Sequence, residues 1–589
     1  MSTSTAQSAT KPNQTTDNIS GCEAVVRCLI AEGVELMYGY PGGAIMPVYD
    51  ELYKYADQIQ HVLVRHEQGA THAAQGFARV TGKTGVCIAT SGPGATNLVT
   101  GIADAMIDST PMVCITGQVP KHLLGSDAFQ ETDVMGITMP VTKWSYQVTD
   151  ASEIPEVFAK AFYIANTGRP GPVVIDITKN AQFGKFDYSY EKCTHIESYV
   201  NRPMLDPAAL DEAAELINNA KKPYLLFGQG IILSKAEAEL KAFVEKTGIP
   251  AAWTIMGLSA MPTDHPLNVG MLGMHGNYGP NVMTNECDVL IAVGMRFDDR
   301  VTGNLDKYAK QAKIVHIELD RSEINKNVTV DVGILGDAKE ALTALMPLVN
   351  DRSHEEWHER FKECDKIEDE KIINAELNPT GDEMTMGEVI RELNELTNGD
   401  AVIVTDVGQH QMVACRYAHF NKTKSNITSG GLGTMGFGLP AAIGAKMGAP
   451  EREVIAVLGD GGFQMTIQEL GVILQNNVAV KILLLNNEFL GMVRQWQQLF
   501  FDKRYASTEM VNPDFQLISQ GFGVDCQRIE ERSKLKDALR TMMEHDGAYL
   551  LEVMVGKENN VFPMVPSGCL LYTSPSPRDQ RGSRMPSSA

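Results

Sequence analysis

Two apolar runs, each ending in a short polar cluster, carry the most suggestive chemistry of this sequence. Val454-Ile-Ala-Val-Leu458 leads into Gly459-Asp460-Gly461-Gly462, and Ile482-Leu-Leu-Leu485 leads into Asn486-Asn487. Asp460 and Asn487 stand 27 positions apart, room for one crossover helix. Both would then lie at the carboxyl edge of one parallel sheet, where α/β folds bind ligands. A carboxylate and an amide oxygen so placed suit Mg²⁺, which takes a few protein oxygens and completes its shell with phosphate oxygens. The glycines allow backbone to approach a diphosphate closely. Alone, Gly-Asp-Gly more often marks an ordinary strand-to-helix turn; the second strand with its Asn pair is what points to a metal-bridged diphosphate. A further candidate is Glu67 in Val64-Arg65-His66-Glu67-Gln68-Gly69-Ala70, followed by the glycine-rich Ser91-Gly92-Pro93-Gly94-Ala95-Thr96-Asn97. By itself such a glutamate reads as a solvated carboxylate at a helix start.

Three other patterns are weaker. His354-Glu355-Glu356-Trp357-His358 has the spacing of a zinc-binding helix, but its charged surroundings lack an apolar flank and predict a solvated helix face. Gly431-Leu-Gly433-Thr-Met-Gly436 fits GxGxxG, yet the preceding Asn421 to Ser429 reads as polar rather than as a strand. Gly228-Gln229-Gly230 after Tyr224-Leu-Leu-Phe227 is half of a dinucleotide fingerprint and equally a tight strand-to-helix turn.

The elements that must position these residues are short β-branched runs alternating with helix-like stretches. The runs are Val86 to Thr90, Met112 to Gly117, Val173 to Thr178, Tyr224 to Gly228, Val289 to Gly294, Ile314 to Leu319, Val402 to Val407, Val454 to Leu458 and Lys481 to Leu485. Such alternation predicts an α/β fold of three doubly wound parallel-sheet domains. The pattern lapses near 181–206 and turns strongly charged over 351–382. The expected division is a disordered leader at 1–20, domains at 21–190 and 200–350, a charged linker at 351–382, and a third domain at 383–568. Residues 569–589 resemble the translation of a sequencing-library adapter and are expected to be a scar.

Composition narrows the function. The chain has 589 residues and a net charge of −22, which argues against non-specific binding to nucleic acid or an anionic membrane. Ten scattered cysteines suggest neither a disulfide scaffold nor a CxxC metal pair, and fit a reducing cytoplasm. No apolar run is long enough to span a bilayer.

The Gly-Asp-Gly and Asn-Asn pair together resemble the thiamine diphosphate signature, whose chemistry needs a carboxylate against the aminopyrimidine ring. Further motifs extend the likeness from about residue 20 to 568: Tyr38-Gly39-Tyr40-Pro41-Gly42-Gly43-Ala44, Arg65-His66-Glu67, Ser126 to Glu131, Gly273-Met274-His275-Gly276, Arg296 to Gly303, Gly431 to Gly438, and Met492-Val493-Arg494-Gln495-Trp496. In this order they resemble the acetohydroxyacid synthase (acetolactate synthase) catalytic subunit. The resemblance implies pyrimidine-binding, central FAD-binding and diphosphate-binding domains in turn. It implies Glu67 at the aminopyrimidine N1′, with Tyr40, Pro93, Asn97, Val407, Gly408, Gln409, His410, Gly433, Met435, Gly461 and Gly462 around thiamine diphosphate. Asp460, Asn487 and the Phe489 carbonyl would hold Mg²⁺.

For a structural, non-redox FAD, the resemblance implies Arg169, Gly228, Gly230, Gly273, Met274, His275, Gly294, Arg296, Asp298, Glu318 and Asp337. Gly43, Gln130, Lys179, Arg300, Met492 and Trp496 would line the 2-oxo acid pocket, Arg300 gripping the acceptor carboxylate and Trp496 its alkyl end. The implied reaction decarboxylates pyruvate and ligates its two-carbon unit to a second pyruvate or to 2-oxobutyrate. This is the first common step of branched-chain amino acid biosynthesis. The implied assembly is a homodimer or homotetramer with active sites across the dimer interface, and a small regulatory subunit. A flavin-dependent pyruvate oxidase and a non-catalytic cofactor-binding homologue are the alternatives.

Overall fold

A computed structural model describes residues 17–565. It contains three six-stranded sheets, every strand pair within them parallel. The first sheet runs Gln60–Leu63, Leu36–Gly39, Gly85–Ala89, Met112–Gln118, Pro172–Thr178, Trp144–Val148. The third runs Asn426–Thr428, Val402–Thr405, Val454–Gly459, Lys481–Asn486, Tyr549–Met554, Asp525–Ile529. Numbered along the chain within each sheet, both have the order 2-1-3-4-6-5, so one architecture is used twice. The middle sheet runs Asn268–Met271, Ala251–Trp253, Pro223–Phe227, Val289–Val293, Lys313–Glu318, Val332–Leu335. Its order, 3-2-1-4-5-6, is that of dinucleotide-binding domains.

Every run expected from the sequence is present within two residues, and each is an interior strand. Interior strands such as Val454–Gly459 and Lys481–Asn486 are buried along their whole length, which favours a near-continuous apolar run between their ends.

The domains share cores rather than hanging from linkers. Helix Glu67–Thr81 of the first domain crosses helix Gly438–Gly448 of the third at backbone contact. A Cβ on Gly76 would stand 1.9 Å from the Ala441 carbonyl oxygen, and one on Gly444 1.9 Å from that of Ala73. Ala70, Phe77, Leu439, Ile443 and Leu458 belong to one buried cluster spanning both domains.

Three expectations are corrected. Asp17–Ser20, assigned to the leader, is a strand paired antiparallel with Lys185–Tyr188. Residues 355–368 of the expected linker form a helix in which Trp357, Phe361 and Cys364 are buried. Trp357 donates from Nε1 to the Pro223 carbonyl at 2.9 Å, and Phe361 packs on Tyr224 with ring centroids 5.3 Å apart; this apolar stripe, hidden among charges, docks the helix on the middle sheet. His354 lies outside that helix with a left-handed backbone, and the His358 imidazole meets the Gly248 carbonyl at 2.8 Å. Finally, Asn426–Thr428, read as non-strand, is the edge strand of the third sheet. Residues 1–16 of the leader and the adapter-like 569–589 lie outside the described residues.

Candidate active site

In the third sheet, strand order reverses between Val402–Thr405 and Val454–Gly459, the crevice where open α/β sheets bind ligands. Asp406 follows the first strand, Asp460 the second, and Asn487 follows the neighbouring Lys481–Asn486. Asp460 and Asn487 are both buried. Burial pushes the Asp460 carboxyl up to about 6; a bound cation would restore the ionised form. Asn512 donates to Asp460 Oδ2 at 2.8 Å and to Asn486 Oδ1 at 3.0 Å, tying the two strand ends together. The Asn487 side chain donates to Gln409 Oε1 at 3.3 Å and accepts from the Phe489 amide at 3.2 Å. His410 is buried beside Gly408 and Gly459, and burial lowers its pKa to about 4. Its Nε2 has no hydrogen-bond partner within the chain, leaving a neutral imidazole with one nitrogen free to meet a ligand.

The loop carrying Met435 is held by carboxylates. Asp406 is fully buried and accepts from the amides of Val407, Gly436 and Gly438 at 2.8, 3.1 and 2.8 Å. Asp108, paired with Arg79 at 2.8 Å, accepts from the amides of Gly430 and Gly431 at 2.9 and 2.7 Å. Asp104 accepts from the Thr434 hydroxyl at 2.9 Å and from that of Ser429. Within the GxGxxG-like stretch the Gly431 and Gly436 amides are thus engaged by protein carboxylates and the Thr434 amide by the Ser429 hydroxyl, which a phosphate would have to displace. Met435 projects toward Gly461, where a Cβ would lie 3.5 Å from the Met435 methyl.

A single cleft of about 1140 Å³ joins this loop to the middle domain. Val407, Gly408, Gly433, Met435, Met492 and Trp496 line one half; Arg169, Gly230, Gly273, Met274, His275, Gly294, Arg296, Asp298, Arg300, Glu318 and Asp337 line the other. Gly228 and Gly230 press on Gly294 at the middle sheet's own switch point: a Cβ on Gly230 would sit 2.5 Å from Gly294 Cα, and one on Gly228 2.6 Å from the Gly294 carbonyl. His275 is buried, its pKa lowered to about 3 by burial, with Nδ1 unpartnered. Burial raises Glu318 to about 7 although two backbone amides donate to it. Arg169 is engaged by Glu323 at 3.1 Å and Ser109 at 2.8 Å. Asp298 and Asp337 cap helices Asp299–Thr302 and Ala338–Leu345. Arg300 is largely exposed and points NH1 at the Met274 sulfur, 3.6 Å away.

The residues expected on the pyrimidine side gather elsewhere. Glu67 starts its helix after the His66 cap and accepts from Asn97 Nδ2 at 2.9 Å. The loops bearing Tyr40, Gly43 and Pro93 follow strands Leu36–Gly39 and Gly85–Ala89, the switch point of the first sheet. Gln130 adopts φ +59° and its carbonyl would be 2.8 Å from a Cβ on Gly92; Lys179 begins the short helix after Pro172–Thr178. None of Glu67, Tyr40, Gly43, Pro93, Asn97, Gln130 or Lys179 lines the large cleft. Tyr40, Gly43 and Pro93 are exposed.

Sequence reasoning missed Asp406, Asn512, Asp104 and Asp108. Asp406 had a signal: Val-Ile-Val-Thr-Asp406-Val-Gly repeats the strand, aspartate and glycine of the Asp460 motif.

Three family models match the chain: the N-terminal TPP binding domain of thiamine pyrophosphate enzymes over residues 19–137, the central domain over 210–345 and the C-terminal TPP binding domain over 406–553. The chain is 45% identical over 551 residues to the acetolactate synthase isozyme 2 large subunit of Escherichia coli K12, covering 93% of this chain and 98% of that protein. It is 46% identical to the acetolactate synthase large subunit of Corynebacterium glutamicum, covering 94% and 89%. The chloroplastic acetolactate synthase of Arabidopsis thaliana is 42% identical, with 96% and 87% covered. The chain belongs to the acetolactate synthase family of thiamine pyrophosphate enzymes. For this family, two of the three sheets are thiamine pyrophosphate-binding domains, and they are the two that share a strand order. Among the described residues, no helix is long and apolar enough to cross a membrane.

Proposed function

We propose that the chain is the catalytic subunit of an acetolactate synthase, joining pyruvate after decarboxylation to a second pyruvate or to 2-oxobutyrate. Membership of the family supports the reaction. The observation that carries its assignment to this site is the continuous cleft between the Met435 loop and the middle sheet's switch point. Bound there, thiamine diphosphate supplies a carbon nucleophile and an electron sink for decarboxylation. Asp460, Asn487 and the Phe489 carbonyl would hold Mg²⁺ against the diphosphate, with His410 Nε2 and the Gly461–Gly462 backbone beside it. The unpartnered His275 nitrogen, the Gly228–Gly230–Gly294 crossing and the dinucleotide strand order fit FAD in the other half.

Glu67 holds the proton at the aminopyrimidine N1′ in this reading. The family resemblance implies pyrimidine and diphosphate sites on different copies, so in this reading a second copy supplies Glu67, Asn97 and Gln130, which gather at the first sheet's switch point away from the cleft, and the active unit is a homodimer. Exposed Met46, Phe129 and Phe183 on the first domain and Met465, Leu474 and Leu517 on the third offer apolar surface for that contact. Arg300 and Lys179 would hold 2-oxo acid carboxylates, while Met492 and Trp496 exclude water and bound the acceptor's alkyl end. The large-subunit names of the E. coli and C. glutamicum relatives support a small regulatory partner, and the reducing composition supports a cytoplasmic setting.

Incubation with pyruvate, thiamine diphosphate, Mg²⁺ and FAD, without an electron acceptor, tests the reading by NMR. Acetolactate from the parent and little from Glu67→Gln is expected. Product formation only with an added electron acceptor would make the chain an oxidase instead.

A further inference from the structure

A buried ion pair outside the proposed chemistry joins the two halves of the cleft. Arg416 and Glu368 have side chains 0% and 1% exposed and meet at 2.5 Å. Glu368 ends the docked helix Glu355–Glu368, and Arg416 lies in the last turn of helix Gln409–Tyr417. Between them they grip one loop of the middle domain. Arg416 NH1 donates to the carbonyls of Gly276 and His275 at 2.8 and 3.3 Å. Glu368 accepts from the Tyr278 amide at 2.7 Å and from Asn277 Nδ2 at 3.4 Å. The first turn of the same Arg416 helix carries Gln409 and His410, and its Gln411 and Met412 line the cleft.

A second tie runs in parallel. The Val565 amide donates to the Met274 carbonyl at 2.8 Å, and earlier in that terminal segment the Asn559 carbonyl accepts from Gln409 Nε2 at 2.9 Å. The Met274–Tyr278 loop is therefore fastened to both ends of one helix, directly at Arg416 and through the terminal segment at Gln409.

Stability alone does not explain such a pair, because desolvating two charges offsets most of their attraction and apolar packing serves as well. We propose that Arg416 and Glu368 are positioning residues that couple the flavin half of the cleft to the diphosphate half, so that filling either half tightens the other. The proposal rests on the reading that the middle-domain half takes FAD. A nine-residue helix moves as a rigid rod, so ordering its first turn around a diphosphate fixes Arg416 and, through it, the carbonyls of His275 and Gly276. The coupling must then be reciprocal.

The test titrates FAD into the cofactor-free full chain by flavin fluorescence, with and without thiamine diphosphate and Mg²⁺, and repeats the cycle with thiamine diphosphate as titrant. The parent should bind FAD about tenfold more tightly when thiamine diphosphate is present. In Glu368→Gln and Arg416→Lys that ratio should fall toward one. A purely structural role would weaken both FAD affinities equally and leave the ratio unchanged, and that result overturns the proposal. So does a ratio of one in the parent, which needs no variant to fold. Absence of FAD binding in the parent would refute the flavin reading itself and the coupling with it.

Discussion

Gly444→Ala should loosen the crossing of helices Glu67–Thr81 and Gly438–Gly448 and reach the active site through it. Within an isolated helix the change is favourable, since Ala exceeds Gly by ~1 kcal/mol in helix propensity. The structure reverses that sign: the new Cβ would stand 1.9 Å from the Ala73 carbonyl oxygen and 2.6 Å from its carbon, both backbone. Restoring ordinary contact separates the helices by about 1.5 Å. Overpacking of this kind costs ~1–3 kcal/mol, which more than offsets the helix gain at its upper end. Glu67 rides at the start of the displaced helix, and misplacing a catalytic group by ~1 Å costs roughly 100-fold in rate. Differential scanning calorimetry of the fully cofactor-loaded protein, with acetolactate formation assayed alongside, measures both effects. Gly521→Ala, where a Cβ would meet nothing within 4 Å, is the control. If Gly444→Ala melts with the control and turns over at the parent rate, backbone contact at this crossing does not position Glu67 and the reasoning fails.

Asp406→Asn keeps the shape of the Met435 loop's anchor but turns one of its acceptor oxygens into a donor facing the Val407, Gly436 and Gly438 amides. Leaving buried amides unsatisfied costs ~1–3 kcal/mol, so thiamine diphosphate affinity, measured by tryptophan quenching, should drop about tenfold or more; unchanged affinity would mean the loop does not hold the cofactor. Trp496→Leu should shift the product ratio with mixed pyruvate and 2-oxobutyrate by roughly tenfold, since one methylene in an apolar pocket is worth ~1–3 kcal/mol, and an unchanged ratio by NMR would remove Trp496 from the acceptor site. Trp357→Ala deletes the indole that docks the 355–368 helix, at a cost of ~3–5 kcal/mol. Limited proteolysis should then cut near that helix first, and parent-like resistance would show that the helix is held by other contacts.

How much was legible follows from where each residue sits. Most interior strands show through as unbroken β-branched runs, so strand ends at Asp460 and Asn487, and the chemistry they share, could be placed from spacing alone. Edge strands such as Asn426–Thr428, Gln60–Leu63 and Asp525–Ile529 have one unpaired side and mixed composition and escaped, as did the interior strands Leu36–Gly39, Ala251–Trp253 and Tyr549–Met554, which hold few β-branched residues. The docking of helix 355–368, expected as a solvated face, escaped because one buried stripe of Trp357, Phe361 and Cys364 is diluted by charges that face solvent.

The sequence by itself determined the fold class, the oxygen-ligand pair and the family resemblance, because these depend on residue type and local spacing. Tertiary structure decided what lies far apart along the chain. It set the repeated 2-1-3-4-6-5 order beside a 3-2-1-4-5-6 sheet. It turned Asp104, Asp108 and Asp406 from anonymous carboxylates into anchors of one loop, and brought Arg416 to Glu368 across 48 positions. Burial gives these contacts their force: a carboxylate or guanidinium removed from water must find partners, and which partners come within reach is fixed only when the sheets pack.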